Sequence, residues 1–426
     1  MKWSEYPLSE IAEINPRRPN SLYLSDDSPV TFVPMTAISE ATASIERPEI
    51  RIYGEVKKGF TFFCNDDVLF AKITPCMENG KSAIATELCN SIGFGSTEFH
   101  VLRANKKKLL PKFLHYFIRQ KSFRDLAKAR MRGAVGQQRV PKDFFNDVKL
   151  PLPPLSEQHR IVEILDQADA LRKKRAEADA KAARILPALF YKMFGDPVSN
   201  SGKWPIEKLG KLGELNRGKS RHRPRNAPEL LGGPYPFIQT GDVANANGYI
   251  RKYTSTYSEL GLKQSRMWPA GTLCITIAAN IAATAILGFD ACFPDSVVGF
   301  TPNNRTNSAY IRILFEFIRP LLERQAPQLA QKNINLTILR DLQIPVPPVK
   351  LQDVFKNKHD IVMDVIHNSE KSSKGIEELW ETILHRAFTG DLTAKWHEAH
   401  MKELLQEMEE QIKAFEATKY SKGSMV

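Results

Sequence analysis

One block of this 426-residue chain occurs twice, at a spacing of about 194–205 residues, which calls for two copies of one domain rather than a single enlarged core. Trp3 with Tyr6-Pro7-Leu8 returns as Trp204-Pro205-Ile206 and Leu209. Gln137-Gln138-Arg139-Val140, followed by Asp147-Val148-Lys149-Leu150-Pro151-Leu152-Pro153-Pro154, returns as Gln331-Lys332-Asn333-Ile334, followed by Asp341-Leu342-Gln343-Ile344-Pro345-Val346-Pro347-Pro348. After each Pro-Pro comes a long helical stretch, so the order is globular, helix, globular, helix.

Helical periodicity carries the two connecting stretches. Ile161, Leu165, Ala168 and Leu171, then Ala178, Ala182, Ile185, Leu189 and Met193, fall three or four apart. Val362, Val365, Ile376, Leu379, Ile383 and Ala387 do the same, with Ser369 and Ser372 between them. Proline suits a helix start and glycine a helix stop, which places the ends at the Pro-Pro pairs and near Gly195 and Gly390. Pro187 lies inside the first pattern and predicts a kink. Helices of that length with a narrow apolar stripe need a partner, and the simplest is the other copy, packed antiparallel. The alternative is that each folds back on its own globular block.

The globular blocks are α+β. Residues 30–102 and 235–300 alternate short β-branched and aromatic runs with Gly, Pro and Asn, and an amphipathic helix follows each, at 111–129 and 308–324. The uncharged run 272–289 reads as two strands around Ala278-Ala279-Asn280, not as a membrane span. Five cysteines without a Cys-x-x-Cys pair, and a start lacking an apolar leader, suggest free thiols in a cytoplasmic protein.

The net charge of +12 divides unevenly: residues 1–150 carry +6 and 200–349 carry +8, and the remaining segments are close to neutral. Two basic modules on a neutral frame suit a polyanionic partner.

A repeat that opens on Trp and closes on Leu150-Pro151-Leu152-Pro153-Pro154-Leu155-Ser156-Glu157-Gln158 resembles the specificity subunits of type I restriction–modification enzymes. The endings Phe190-Tyr191-Lys192-Met193-Phe194-Gly195-Asp196-Pro197 and Ala387-Phe388-Thr389-Gly390-Asp391-Leu392 are similar to that family as well, and the resemblance covers about residues 1–395. It implies two pseudo-repeated α+β target recognition domains, at 1–150 and 200–349, separated by two long helices packed as an antiparallel coiled coil. The helices belong to a central conserved region at 151–199 and a C-terminal conserved region at 350–392, and 393–426 forms a further helix and tail. The implied partners are double-stranded DNA with a bipartite target, two modification (methyltransferase) subunits and motor-nuclease restriction subunits. No cofactor, metal or membrane is implied, and no catalytic residue is assigned to this chain. In the second copy Lys350-Leu351-Gln352 replaces Ser-Glu-Gln.

Candidate DNA-binding residues follow from donor chemistry. Gln137, Gln138 and Arg139, with Gln331, Lys332 and Asn333 as counterparts, offer amide and guanidinium forks that suit adenine and guanine edges. Arg217, Lys219, Arg221, Arg223 and Arg225 form a basic run suited to phosphates. Lys72, Thr74, Lys81, Ser96, Thr97 and Asn280 sit where strands give way to loops. Gln158, Arg160 and Gln352, at the helix starts, are the candidate partner-binding residues. The competing readings are polar surface loops and turn chemistry. An enzyme with an unrecognised site and a polyanion-binding scaffold are the alternatives for the whole chain. A nuclease built on Asp66, Asp67 and Lys72 has the wrong spacing, and a zinc site on Cys64, Cys76, Cys89 and His100 lacks paired ligands.

Overall fold

The computed structural model describes residues 3–20, 23–134, 136–222, 224, 227–325 and 334–423, side chains of 325 and 414–423 excepted. Two compact units result: 1–177 with 372–426, and 178–371. The divisions fall within the long helices, so each helix contributes to both units.

The duplication is explicit in the sheets. In the first unit Ala12–Ile14, Phe99–Ala104, Val68–Ala71 and Ser82–Ile84 form one antiparallel sheet in that order. A second sheet runs Glu49–Ile52, Pro29–Val33, Ile92–Gly95, Thr61–Cys64, with its central pair parallel. The second unit repeats both orders: Gly213–Arg217, Val297–Pro302, Leu273–Thr276, Thr284–Leu287 plus the extra edge Tyr249–Ile250, and Ser255–Tyr257, Leu231–Phe237, Ala291–Cys292, Met267–Trp268. Each head is closed by its opening strand pairing with the strand before Pro-Pro: Glu5–Pro7 with Lys149–Pro151, and Ile206–Lys208 with Gln343–Pro345. The uncharged 272–289 run is a hairpin whose turn holds Ala279 and Asn280 at positive φ. Gly93 and Gly95 lie in a strand under the Phe63 ring; a Cβ on Gly93 would meet that ring at 2.2 Å, so this Gly-x-Gly is a packing requirement.

The helices start and stop where proline and glycine place them. The first runs Leu155–Ala182 and resumes as Ile185–Phe194, broken just ahead of Pro187; the second runs Val349–Thr389. Gly195 and Gly390 follow at φ of 79° and 88°. Within the first unit the start of the first helix packs on the end of the second, with Ile161 and Leu165 in one core with Trp380, Leu384 and Phe388. Within the second unit the end of the first helix (Leu186, Phe190, Phe194) shares a core with Phe355 and Met363. Both arrangements are antiparallel.

The buried faces differ from the apolar stripes predicted by periodicity. Leu171, Ile185, Val365 and Leu379 are exposed, whereas Glu157, Gln158, Asp169, Gln352 and His359 are buried. Hydropathy cannot find this face, because paired polar groups make up much of it. The two head helices also differ from each other: Pro111–Arg119 and Lys121–Ala129 are separate, broken at an extended Gln120, and Ser308–Gln325 is continuous through Pro320. Of the thiols, Cys274 and Cys292 are buried, and Cys64, Cys76 and Cys89 only half-buried.

Gln158 and Gln352 explain how helix and head are joined. Gln158 Oε1 accepts from the Leu110 N–H (2.9 Å), and its Nε2 donates to the carbonyls of Lys108 (2.8 Å) and Pro153 (2.9 Å). Gln352 repeats this with Asn307 N–H (3.3 Å), Thr306 hydroxyl (2.9 Å) and the carbonyls of Arg305 (3.3 Å) and Pro347 (2.8 Å). Both are fully buried, which corrects the expectation that they face a partner: their amides are engaged inside the chain. Arg160 stays half-buried and pairs with Glu163 at 2.7 Å.

The middle residue of the Ser156-Glu157-Gln158 motif is asymmetric. Glu157 is buried and accepts from Trp3 Nε1–H (3.0 Å), the Thr393 hydroxyl (2.8 Å) and His397 Nδ1–H (3.0 Å). It thereby docks the segment Ala394–Ala399, and Glu407 on Met401–Gly423 accepts from the Ser156 hydroxyl at 2.9 Å. Leu351 at the matching position has no such role available to its side chain.

Asp169 carries the head–helix contact deeper. Its carboxylate takes Arg119 Nη2–H at 2.9 Å, and the guanidinium lies 4.9 Å from the Trp380 ring centre. Burial alone would raise the Asp169 pKa, but Arg119 and Lys173 outweigh it and hold it below the usual carboxylate range. Asp169→Ala would leave a buried guanidinium without its counter-charge, at a cost of about 3–5 kcal/mol. Urea unfolding of the full chain measures this; a loss below about 1 kcal/mol would contradict the assignment.

Candidate nucleic-acid interface

In each head, the segment preceding the closing strand lies along the end of the antiparallel sheet. In the first, Thr74 N–H donates to Gln138 O (3.0 Å), Val140 N–H to Lys72 O (2.9 Å) and Lys72 N–H to Glu98 O (2.9 Å). Lys72, Thr74, Gln137, Gln138, Arg139 and the 96–98 turn are therefore brought together. In the second head Ile334 N–H donates to Ile277 O (3.0 Å) and Ile277 N–H to Ser296 O (3.0 Å). This makes Ile277 the equivalent of Lys72.

The first head surrounds this end with charge and aromatic rings. A cleft of about 470 Å³ is lined by Arg17, Arg18, Lys57, Lys72 and Thr97, with Phe60, Phe62 and Phe94 among its walls. Arg18 donates to the Tyr53 hydroxyl (2.5 Å), and Lys57 pairs with Asp26 at 2.7 Å, so both cations are held in place. Cations beside the exposed Phe60 ring suit a phosphate backbone and a base together; Phe62 and Phe94 are buried beneath. Lys57 and Phe60 come from a loop the sequence reading passed over; the only signal was Lys57-Lys58 beside Phe60.

Other candidates separate from this group. Lys81 Nζ donates to the Met35 carbonyl (3.3 Å) and lies 3.9 Å from Glu40, and Ser96 Oγ accepts from the Glu98 N–H (3.2 Å), so both serve the local fold. Asp67 is buried and takes Arg103 through both oxygens (2.8 and 2.6 Å), a structural pair rather than one carboxylate of a metal-binding set. In the second head Arg217 ends an edge strand, and Lys219 and Arg221 continue from it, exposed. Gln264 Oε1 accepts from the Arg221 N–H at 2.6 Å, and the Ser265 hydroxyl donates to Lys219 O at 2.9 Å. Asn280 is exposed in the hairpin turn. Arg223, Arg225, Gln331, Lys332 and Asn333 lie outside the described residues.

His100 anchors the 137–140 segment from below. Its Nε2–H donates to Val140 O (2.8 Å), and its Nδ1 accepts from Asn15 Nδ2–H (3.0 Å). Burial pushes its pKa down to about 4, so the neutral ring is the folded form. His359 in the other unit is also lowered to about 4 by burial; its Nε2 accepts from Arg312 Nε–H at 3.2 Å.

The chain holds two copies of one α+β head, each followed by a long helix, with cations gathered at the sheet end of the first. Residues 1–179 and 202–372 match the type I restriction modification DNA specificity domain, and the chain belongs to that family. It is 41% identical over 160 residues to the EcoAI specificity subunit of Escherichia coli, covering 38% of this chain and 27% of that protein. The chain thus matches only about a quarter of the length of that relative. The putative MjaX specificity subunit of Methanocaldococcus jannaschii is 25% identical over 344 residues, 77% of this chain and 79% of its own. A chain from a structural study of complex assembly in a type I R-M system superposes with a TM-score of 0.55 at 20% identity, covering 92% of this chain and 98% of that one, a likeness of fold. Among the described residues no helix is long and apolar enough to cross a membrane.

The pH dependence follows from the histidines. A histidine whose folded pKa is depressed contributes full stability above its unfolded value of 6.5, and loses it as pH falls toward the folded value. For His100 the window is pH 6.5 to about 4, a loss of about 3 kcal/mol at most. Unfolding of the full chain should show stability falling across that window, and His100→Gln should make the slope shallower. Stability flat from pH 6.5 to 5 would contradict the neutral buried ring.

Proposed function

We propose that this chain is the DNA-reading subunit of a type I restriction–modification system, in which each head reads one half of a bipartite double-stranded target. The observation that carries the reading is the repetition of one head, with the strand order of both sheets kept, and the positive charge of the sequence concentrated on both copies. A duplicated reader on one chain suits a target in two halves, and the helices between the heads set the unspecified spacer. Residues 1–150 and 200–349 are the recognition domains in this scheme. The chemistry belongs to partners: modification subunits transfer methyl groups and motor-nuclease subunits translocate and cleave, in the cytoplasm. Two modification subunits suit the duplicated chain. Their docking sites are the exposed helix positions, among them Leu171, Val365 and Leu379, rather than the buried glutamines.

Exchange of residues 1–150 for the head of another family member tests the division of labour. One half of the methylated site should change and the other stay fixed; simultaneous loss of both halves contradicts it. Shortening both helices by one turn, at matched positions, should shorten the spacer. An unchanged spacer would reject the helices as its determinant.

A further inference from the structure

Arg139, at the first sheet end, carries a guanidinium whose donors suit a guanine edge, and another residue holds it. Arg139 Nε–H donates to Glu98 Oε2 (2.9 Å), with Oε1 at 3.2 Å, and Nη2–H donates to Oε1 (2.9 Å). A third donor, on Nη1, reaches Gln137 O at 2.8 Å. Guanidinium has five N–H donors. Among the described contacts three are engaged, which leaves two. The Nε–Nη2 edge of the fork is closed by the carboxylate, and one N–H on each of Nη1 and Nη2 remains for a ligand.

Glu98 is itself fixed. Its N–H donates to Ser96 Oγ (3.2 Å) and its carbonyl accepts from Lys72 N–H (2.9 Å), immediately before the strand Phe99–Ala104. The Glu98 side chain is about one quarter exposed and that of Arg139 less than half, so the pair stands at the surface of the sheet end without being loose in solvent. The Arg139 guanidinium beside it holds the Glu98 carboxyl below the usual range, so it stays ionised. A carboxylate facing DNA repels phosphate unless it is paired. Its presence here has a positive rationale if it orients the arginine.

The sequence of the second head does not repeat this pair. Its carbonyl equivalent of Glu98 belongs to Ser296, and Asn333 stands at the sequence position matching Arg139. A purely structural brace common to the fold would be expected in both copies.

We propose that Glu98 is a positioning residue that holds Arg139 end-on toward a guanine in the half-site of the first head. Guanine O6 and N7 are two adjacent acceptors that match a guanidinium, and a fixed arginine meets them without ordering cost on binding. The proposal rests on the reading of this head as a DNA reader, and it concerns one base of that half-site.

The test uses the full chain assembled with its modification subunits. Competition binding is measured against targets with each base pair substituted in turn, and with 7-deazaguanine, which lacks the N7 acceptor, at each guanine. For the unaltered protein, one guanine of the first half-site should lose about ten-fold in affinity on replacement. Glu98→Ala should abolish the discrimination at that guanine only, Glu98→Gln should retain an intermediate part of it, and Arg139→Lys should lose it. Undiminished discrimination at the second half-site confirms that each variant is folded. Even weakening at every position, or no change at any, overturns the proposal and leaves Glu98 a structural brace. An unaltered protein without sequence preference in the first half-site would instead overturn the reading beneath it.

Discussion

Everything else in the molecule is hung on a buried glutamine at the start of each long helix. A helix that follows Pro-Pro could leave its head at many angles. Gln158 and Gln352 remove that freedom by hydrogen bonding both the segment that enters the helix and the loop that precedes the head helix. A fully buried amide with both ends satisfied has a steep alternative, since every lost bond leaves an unpaired polar group in the core. The joint is thereby rigid, and the closing strand pairs, Glu5–Pro7 with Lys149–Pro151 and Ile206–Lys208 with Gln343–Pro345, lock the other side of the same corner.

The two copies share this joint and the sheet frame, and differ in the polar contacts around them. Glu157 gathers Trp3, Thr393 and His397 in the first unit, and Leu351 replaces it in the second. Arg119 with Asp169 supplies a buried ion pair against Trp380 in the first unit, whereas Arg312 in the second meets the neutral His359 ring and Glu316. The heads follow the same logic. A shared sheet frame carries an Arg139–Glu98 pair and an aromatic, cationic cleft on one side, and an exposed basic stretch starting at Arg217 on the other. A shared frame with unlike surfaces suits the two-half target proposed for it.

Much of this was legible in the residues. The repeat, the α+β heads, the proline starts, the glycine stops, the break ahead of Pro187 and the 272–289 hairpin all follow from local chemistry that leaves marks at fixed positions. The buried helix faces were not, because Glu157, Gln158, Asp169 and His359 are core residues by virtue of partners distant in sequence. The same cause misassigned Gln158 and Gln352 to a partner surface. At the sheet end the fold brings together Lys72, Thr74, Gln138 and Arg139, all candidates from the sequence, while Lys57 and Phe60 were not among them and the pairing of Glu98 with Arg139 left no mark in the sequence. They come from loops whose proximity only the tertiary fold creates.

The central claim is that one chain reads two separate half-sites. Mapping methylated bases across the genome of the source cell by single-molecule sequencing tests it most directly. The account predicts a split motif, two short specified halves at a fixed unspecified spacing, with a methylated base in each. A single uninterrupted motif dependent on this chain would contradict it.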